Sequence, residues 1–286
     1  MIYRFLRFPG GKSKALTFSY DDGFQQDVRL AEVFNKYCCK CTFNFNSQAL
    51  RGEKGIKPDE VRKYILNHGH EIALHGSNHR PEGILRPIEG IQDVLANRLE
   101  LEQSFDTIIR GMAYPGSGIN FFAHNANFEN VKQYLKELDI VYARTINGDN
   151  DSFRLPSDWY AWMPNAHHGN PRIFEYIDKF LHIDADGPKS SGTQRIPCLF
   201  YIWGHSYEFD DEDNWERIDL ICKQLAFHND IWYATNMEIY NYVQAYHSLV
   251  YSADGSRIYN PTLQTIWFDT DGVLGSIQPG EMIVFR

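Results

Sequence analysis

This sequence of 286 residues lacks the features of membrane, secreted and nucleic-acid-binding proteins. No apolar run approaches the roughly 18 residues of a membrane span, and the N-terminus has no apolar segment of the secretory type. Acidic residues outnumber basic ones to leave a net charge of -9, and no run of Lys and Arg offers a local exception. We therefore expect a cytoplasmic protein with neither a nucleic-acid nor a membrane partner.

Cysteines are few and irregularly placed. The chain has five, an odd number, without the paired spacing of a disulfide framework or of a thiolate zinc site. We expect them to be reduced thiols, most of them packed in the interior. With 43% hydrophobic and 23% charged residues, the composition is typical of a folded globular protein.

Strand-like and helix-like segments alternate along most of the chain. Examples are the predicted strands 41–45, 71–74 and 198–203 and the predicted helices 88–108 and 212–227. About seven or eight such units, without the glycine fingerprint of nucleotide-binding folds, predict an α/β fold of the distorted (β/α) barrel type. The last forty or so residues contain short strand-like runs separated by Asp-Gly, Asn-Pro and Pro-Gly turns instead. We expect a barrel domain over residues 1–247 and a small all-β appendage over residues 248–286.

The segment 16–23 is an apolar strand that runs into two adjacent carboxylates and a glycine. Neighbouring strand residues point to opposite faces, so Asp21 and Asp22 share one site only where the strand ends and the backbone turns. Gly23 tolerates a positive φ and would supply that turn. A solvated turn accounts for Asp-Asp-Gly equally well, because such sequences are common after strands.

Three histidines also follow predicted strands. His75 and His79 are four residues apart, which lets both imidazoles reach one metal ion if the chain makes a helical turn. This spacing alone is weak evidence, but a nearby carboxylate would complete a three-ligand zinc site with an open position for water. His205 ends the predicted strand at 200–205. Since the C-terminal strand ends of a barrel meet at one rim, we expect these histidines and the two aspartates together there.

Four segments resemble the motifs of the polysaccharide deacetylase family, which shares the NodB homology domain and forms carbohydrate esterase family 4. They are 17–23, 75–79, 113–116 and 203–205, in the family's order. The resemblance implies hydrolysis of acetyl groups on an N- or O-acetylated carbohydrate. It implies that Asp21 is the general base, that a metal-bound water is the nucleophile and that His205 is the general acid. The implied metal ligands are Asp22, His75 and His79, and the implied cofactor is a divalent metal, zinc in the first place.

Other positions match the family less well. The backbone N–H near Tyr114 is expected to hold the oxyanion together with the metal, and Trp203 replaces the small apolar residue that often lines the acetyl pocket. Ala113 stands where the family usually has an arginine that tethers the base. We expect Arg144 to substitute for it, with Arg110 as the rival.

The family's fourth motif, which supports the acid histidine, has a poor match. Asp158-Trp159 is a weak candidate for it, and a plain loop explains these residues as well. His167 and His168 follow closely; a position at the rim is open to either of them, and we favour a structural or surface role for both.

Three other functions stay open. Some relatives of this fold hydrolyse other non-peptide C–N bonds in small molecules, and a degenerate site would leave a carbohydrate-binding protein without catalysis. A serine hydrolase is the third, because Gly204-His205-Ser206 resembles part of the nucleophile elbow. Glu208 stands where that motif has its second glycine, which weakens this interpretation.

Overall fold

The structure is a computed structural model that describes residues 3–185 and 195–285. Its strands in chain order are β1 (Arg4–Arg7), β2 (Lys14–Asp22), β3 (Cys41–Phe45), β4 (Glu71–Leu74), β5 (Gly111–Ala113), β6 (Tyr142–Arg144), β7 (Ala166–His167), β8 (Cys198–His205), β9 (Ile231–Tyr233), β10 (Val250–Tyr251), β11 (Arg257–Tyr259), β12 (Ile266–Thr270), β13 (Val273–Ile277) and β14 (Met282–Val284). Its helices are α1 (Asp27–Lys36), α2 (Ser47–Arg51), α3 (Pro58–Glu60), α4 (Pro87–Phe105), α5 (Phe128–Glu137), α6 (Ile173–Leu181), α7 (Glu208–Asp211), α8 (Trp215–Leu225) and α9 (Asn236–His247). Among the described residues, no helix combines the length and the apolar composition that crossing a bilayer requires.

A parallel sheet in the order β6-β5-β4-β3-β2-β8-β7 forms the main body, with β9 paired to the first residues of β2. β2 is buried along all nine residues because it has neighbours on both edges and packed layers on both faces. The amide of Trp162 donates to Ala143 in β6 at 3.0 Å, which brings the segment before β7 against the opposite edge of the sheet. The predicted distorted (β/α) barrel is confirmed.

The helices begin and end where local chemistry favours it. Thr235 and Glu238 form a capping box that starts α9, and Pro87 opens α4, where its missing N–H costs no hydrogen bond. The predicted helix 212–227 corresponds to α8, which begins only at Trp215, because Asp213 adopts a φ of 47° that separates α8 from the short helix α7 before it.

The C-terminal segment forms two three-stranded antiparallel sheets, as the predicted all-β appendage requires, but one of them includes the N-terminus. β1 pairs with β12, and β12 pairs with β13, while β10, β11 and β14 form the second sheet. The sequence analysis contains no strand at Arg4–Arg7. Ile258, Ile266 and Phe268 lie in one apolar cluster with Leu6 and with Tyr242 of α9, so the appendage and the barrel share packing. The domain boundary at residue 248 stays a prediction.

Candidate active site

The two aspartates lie where β2 ends at the rim of the barrel. Asp21 is the last residue of β2 paired in register with β8, opposite His205, and it is 2% exposed. Asp22 has a φ of 85° and Gly23 a φ of 83°, so the backbone turns one residue earlier than the sequence suggested. A positive φ at a non-glycine residue costs about 1–3 kcal/mol and persists where surrounding contacts impose it. This turn lets both carboxylates serve one site.

Asp22 has the two histidines of the 75–79 segment beside it. His79 Nε2 lies 3.3 Å and His75 Nε2 3.7 Å from Asp22 Oδ1. One ligand atom from each of the three residues falls within 4.8 Å of the others. Asn46 caps α2 with its side-chain oxygen and donates from Nδ2 to Asp22 Oδ1 at 2.9 Å, which fixes the carboxylate. One oxygen and two nitrogen donors this close together fit a divalent cation of the zinc type.

The Nδ1 atom of His75 makes a hydrogen bond that leaves Nε2 free to bind a metal. Its Nδ1 lies 2.9 Å from the carbonyl oxygen of Ala113, which only accepts, so Nδ1 carries the hydrogen and Nε2 has a free lone pair. Burial lowers the pKa of His75, and this outweighs the nearby negative charges of Asp21 and Asp22. The ring is therefore neutral at neutral pH, as metal binding requires.

Helix α4 holds the loop that carries both histidines. The carboxylate of Asp93 accepts from the amides of Ser77 at 2.8 Å and Asn78 at 3.0 Å. Asn97 accepts from the amide of His75 at 3.1 Å and donates to the carbonyl of Phe45. The sequence analysis missed both residues; the available signal was two polar side chains four residues apart on the buried face of a helix.

Asp21 is bound by a buried arginine. Asn44 Nδ2 donates to Asp21 Oδ1 at 2.9 Å, and Arg144 Nη2 donates to Oδ2. Burial raises the pKa of Asp21, but the positive charge and the hydrogen bond of Arg144 outweigh it, so the net pKa lies below its ordinary value. Asp21 is therefore an ionised acceptor at neutral pH.

Arg144, not its rival, is the arginine at the candidate base. It is 1% exposed, and its guanidinium lies 4.8 Å from the centre of the Trp203 ring, which covers it. Arg110 instead pairs with Asp139 at 2.7 Å on the exposed side of the barrel.

His205 faces Asp21 from the neighbouring strand. Its Nε2 lies 3.9 Å from Asp21 Oδ2, and its Nδ1 lies 3.2 Å from Glu208 Oε1. Burial lowers the pKa of His205, but the hydrogen bond to Glu208 and the charge of Asp21 raise it more, so the net pKa lies above its ordinary value. Glu208 is a site residue that the sequence analysis used only to argue against a serine elbow. Its signal was a carboxylate three residues after the histidine, at the start of a helical turn.

Two earlier expectations need correction. Asp158 does not support His205; it accepts from Lys132 and from the amide of Tyr160 on another side of the barrel. The amide of Tyr114 is not free for an oxyanion, because it donates within the sheet to the carbonyl of Arg144 at 2.9 Å.

Of the two neighbouring histidines, His167 is a rim residue with its Nε2 3.0 Å from Glu208, and His168 is buried and stacks on Tyr20 and Phe209 as a packing residue. The serine-hydrolase hypothesis also loses support, because Ser206 is fully buried and is not accessible to a substrate.

A cleft of about 510 Å³ opens beside the candidate metal ligands. Asp22 and His79 form part of its lining, together with the rings of Phe24 and Tyr207, which meet edge to face at 5.4 Å. Its size and mixed polar and aromatic walls suit a sugar unit or another small polar molecule.

Together, these observations describe a distorted (β/α) barrel with a candidate metal-binding site at its rim. Residues 9–143 match the family model described as polysaccharide deacetylase, and this match confirms the resemblance. Over residues 9–143 the chain is therefore similar to the polysaccharide deacetylase family. Asp21, Asp22, His75 and His79 lie inside the matched region, and His205 lies beyond it.

Solved structures have the same fold. A protein from Mycobacterium smegmatis described as a polysaccharide deacetylase has 14% identity and a TM-score of 0.57, over 85% of this chain and 94% of that one. The allantoinase PuuE has 13% identity and a TM-score of 0.58, over 84% and 93%. A protein from Pseudomonas aeruginosa PAO1, also described as a polysaccharide deacetylase, has 13% identity and a TM-score of 0.55, over 82% and 92%. No curated protein sequence matches the chain.

Proposed function

We propose that this protein is a metal-dependent deacetylase that removes acetyl groups from an N- or O-acetylated carbohydrate. One observation carries the proposal: the Asp22, His75 and His79 ligand atoms lie within 4.8 Å of one another, beside Asp21 and His205. The family match supports the class of reaction.

The metal would be held by Asp22, His75 and His79. The tautomer of His75 supports this role because it leaves the lone pair of Nε2 free, and the bond from Asn46 supports it because it holds the Asp22 carboxylate beside the two histidines. When bound, a divalent cation there lowers the pKa of a coordinated water and polarises the acetyl carbonyl.

Asp21 is the proposed general base. Its Oδ2 lies 3.9 Å from the Nε2 atoms of both His75 and His205, at the centre of the rim. Arg144 keeps the carboxylate ionised and Asn44 orients it, so Asp21 takes a proton from the water that attacks the acetyl carbon.

His205 is the proposed general acid. The bond from the acetyl carbon to the leaving nitrogen or oxygen breaks with its electron pair on the leaving atom, which takes a proton from Nε2 of His205. The hydrogen bond to Glu208 and the charge of Asp21 raise the pKa of this histidine above its ordinary value, which favours the protonated form that an acid needs. Acetate and the free amine or hydroxyl are the products.

The proposal is tested by metal analysis joined to acetate release from N- and O-acetylated sugars. We expect Asp21→Asn to keep the metal and to lose at least about 100-fold in rate, because a positioned base contributes that much. Asp22→Asn should lose both the metal and the acetate release. Asp59→Asn, at an exposed aspartate paired with Arg62, is the matched control and should change neither quantity. A metal-loaded Asp21→Asn protein with unchanged acetate release would overturn the mechanism.

The same assay separates the alternatives. Amine or ammonia release from small cyclic amides, with no acetate release from sugars, would favour hydrolysis of non-peptide C–N bonds, as the fold shared with the allantoinase PuuE permits. Sugar binding by a metal-loaded protein without any hydrolysis would favour a degenerate, carbohydrate-binding site.

A further inference from the structure

We propose that Glu208 and His167 are positioning residues for His205, and that they hold its side chain with Nε2 directed at the leaving atom of the substrate. The proposal rests on the proposed function in one respect, since it takes His205 as the proton donor. Neither residue belongs to the motifs that carry the family resemblance.

Glu208 binds His205 at two points. Its Oε1 lies 3.2 Å from His205 Nδ1, and its Oε2 accepts from the backbone amide of His205 at 3.1 Å. An ionised carboxylate only accepts, so Nδ1 carries a hydrogen and Nε2 is the nitrogen that faces Asp21. The two contacts restrict both the backbone and the ring of His205, which is the arrangement that orients a catalytic histidine.

His167 in turn anchors Glu208. The amide of Gly169 donates to His167 Nδ1 at 3.1 Å, so this nitrogen holds a lone pair and the hydrogen of the neutral ring lies on Nε2. His167 Nε2 lies 3.0 Å from Glu208 Oε2 and donates to it. Glu208 therefore accepts from two histidine rings and one amide, which keeps the carboxylate ionised although it is largely buried.

The ring of Trp203 completes the arrangement. Its centre lies 4.7 Å from that of His167 and 5.7 Å from that of His205, so it packs against both imidazoles. A chain of hydrogen bonds covered by an aromatic ring is less open to competing water, and this strengthens each bond.

A second metal ion is the rival explanation for this cluster. His167, His168 and Glu208 offer ligand atoms within 4.8 Å of one another. The tautomer of His167 argues against it, because the Nε2 that faces Glu208 carries a hydrogen and has no lone pair for a metal. The Glu208 oxygens also already accept bonds from His205.

The test compares two substrates whose leaving groups differ in basicity. An acetylated amino sugar leaves as an amine and needs a proton, whereas an aryl acetate leaves as a stable phenolate and does not. We expect Glu208→Gln to reduce the rate on the acetylated sugar by about 10–100-fold. The rate on the aryl acetate should fall by less than about 3-fold, because a misplaced acid matters only to the first substrate.

Paired variants identify the part played by His167. His167→Ala removes the N–H that binds Glu208 and should show the same selective loss, while His167→Gln keeps a donor and should restore most of the rate. Glu212→Gln, at an exposed glutamate four residues after Glu208, is the control and should change neither substrate. Equal losses on both substrates would indicate a merely structural role and would overturn the inference. Two metal ions per chain, one of them lost in His167→Ala, would overturn it in favour of the metal site.

A measurement without turnover keeps the inference separate from the proposed function. Correlation of ring nitrogens and hydrogens by NMR in the zinc-loaded protein should place the hydrogen of the neutral ring on Nδ1 of His205 and on Nε2 of His167. Glu208→Gln should mobilise the His205 ring. The opposite tautomers would contradict the positioning role even if acetate release is observed, and the expected tautomers would support it even if the substrate is not an acetylated sugar.

Discussion

Asp21 and Asp22 are neighbours in the chain but have different surroundings. Asp21 is enclosed by Arg144 and Asn44, which hold an ionised carboxylate without access to bulk water. Asp22 has the two imidazoles of the 75–79 loop instead. The positive φ at Asp22 separates the two environments, because it redirects the chain immediately after Asp21. One acid is thereby suited to proton transfer and the other to a cation.

Replacing Arg144 by Met should destabilise the protein at neutral pH by about 3–5 kcal/mol, because Asp21 is left as a buried charge without a partner. The pKa of Asp21 is lowered in the folded protein, so its contribution to stability is present above the unfolded pKa and is lost as pH falls through the folded value. In Arg144→Met the pKa of Asp21 rises, and the loss of stability relative to wild type should shrink as the pH falls toward 3, where the buried carboxyl is protonated.

Urea unfolding at several pH values measures the free energy of unfolding of the variant and of the wild type. The pH dependence of acetate release reports the protonation of Asp21, the proposed base. The acid limb of the rate profile should move to higher pH in Arg144→Met, since a base with a raised pKa is protonated earlier. Arg110→Met is the matched control; its exposed pair with Asp139 should contribute less than about 1 kcal/mol. Equal losses in the two variants would contradict the special place given to Arg144.

At the scale of elements, α4 holds the loop that carries the two candidate histidine ligands. The helix lies outside the sheet, yet Asp93 and Asn97 reach over the end of β4 and bind three backbone groups of the loop that follows. The loop has no regular structure of its own, so its two histidines would sample many positions without these bonds. The order of the loop therefore depends on a helix that supplies no ligand.

Asp93→Ala should weaken zinc binding by roughly 10–100-fold while the fold persists, because it releases the amides of Ser77 and Asn78. Titration calorimetry with zinc measures the affinity, and circular dichroism checks the fold. Gln92→Ala, at an exposed position next to Asp93 on the same helix, is the control. An unchanged affinity in Asp93→Ala would show that the loop is held in another way.

At the scale of the whole molecule, the N-terminal strand joins a sheet of the C-terminal segment, and α9 links that sheet to the barrel. β1 lies beside β12, and Tyr242 of α9 donates to the carbonyl of Arg7 at 2.8 Å while accepting from the amide of Trp267. Arg7 is buried near Asp269 of β12, at 3.7 Å, so the same sheet also encloses a charge pair. These contacts tie the terminal sheets to the barrel through α9.

Phe268→Ala should lower the stability of the whole protein by about 3–5 kcal/mol, because the ring lies inside the shared apolar cluster. We expect a single unfolding transition in which the barrel and the appendage melt together. Calorimetry and near-ultraviolet circular dichroism measure this transition. Leu263→Ala, at a side chain that is 94% exposed, should have almost no effect. Two separate transitions in Phe268→Ala would instead support an independent appendage after residue 247.

The sequence by itself determined the strand-then-helix order, the barrel and the residues that follow the strand ends. Those inferences need only local periodicity and the rule that parallel strands end at one rim, which is why Asp21, Asp22, His75, His79 and His205 were found together. Even the break after β2 was indicated by Asp-Asp-Gly, although it falls at Asp22.

The tertiary structure alone decided which distant groups support those residues. Arg144 was favoured over Arg110 because it ends a predicted strand, but only the register of the strands places it beside Asp21, 123 positions earlier in the chain. Glu208 and Asp93 became site residues only because a helical turn and a neighbouring helix carry them to the rim. The pairing of β1 with β12 was also decided by the tertiary structure. Pairing between strands far apart in the chain depends on the packing of the whole molecule, and the residues of one short segment do not reveal it.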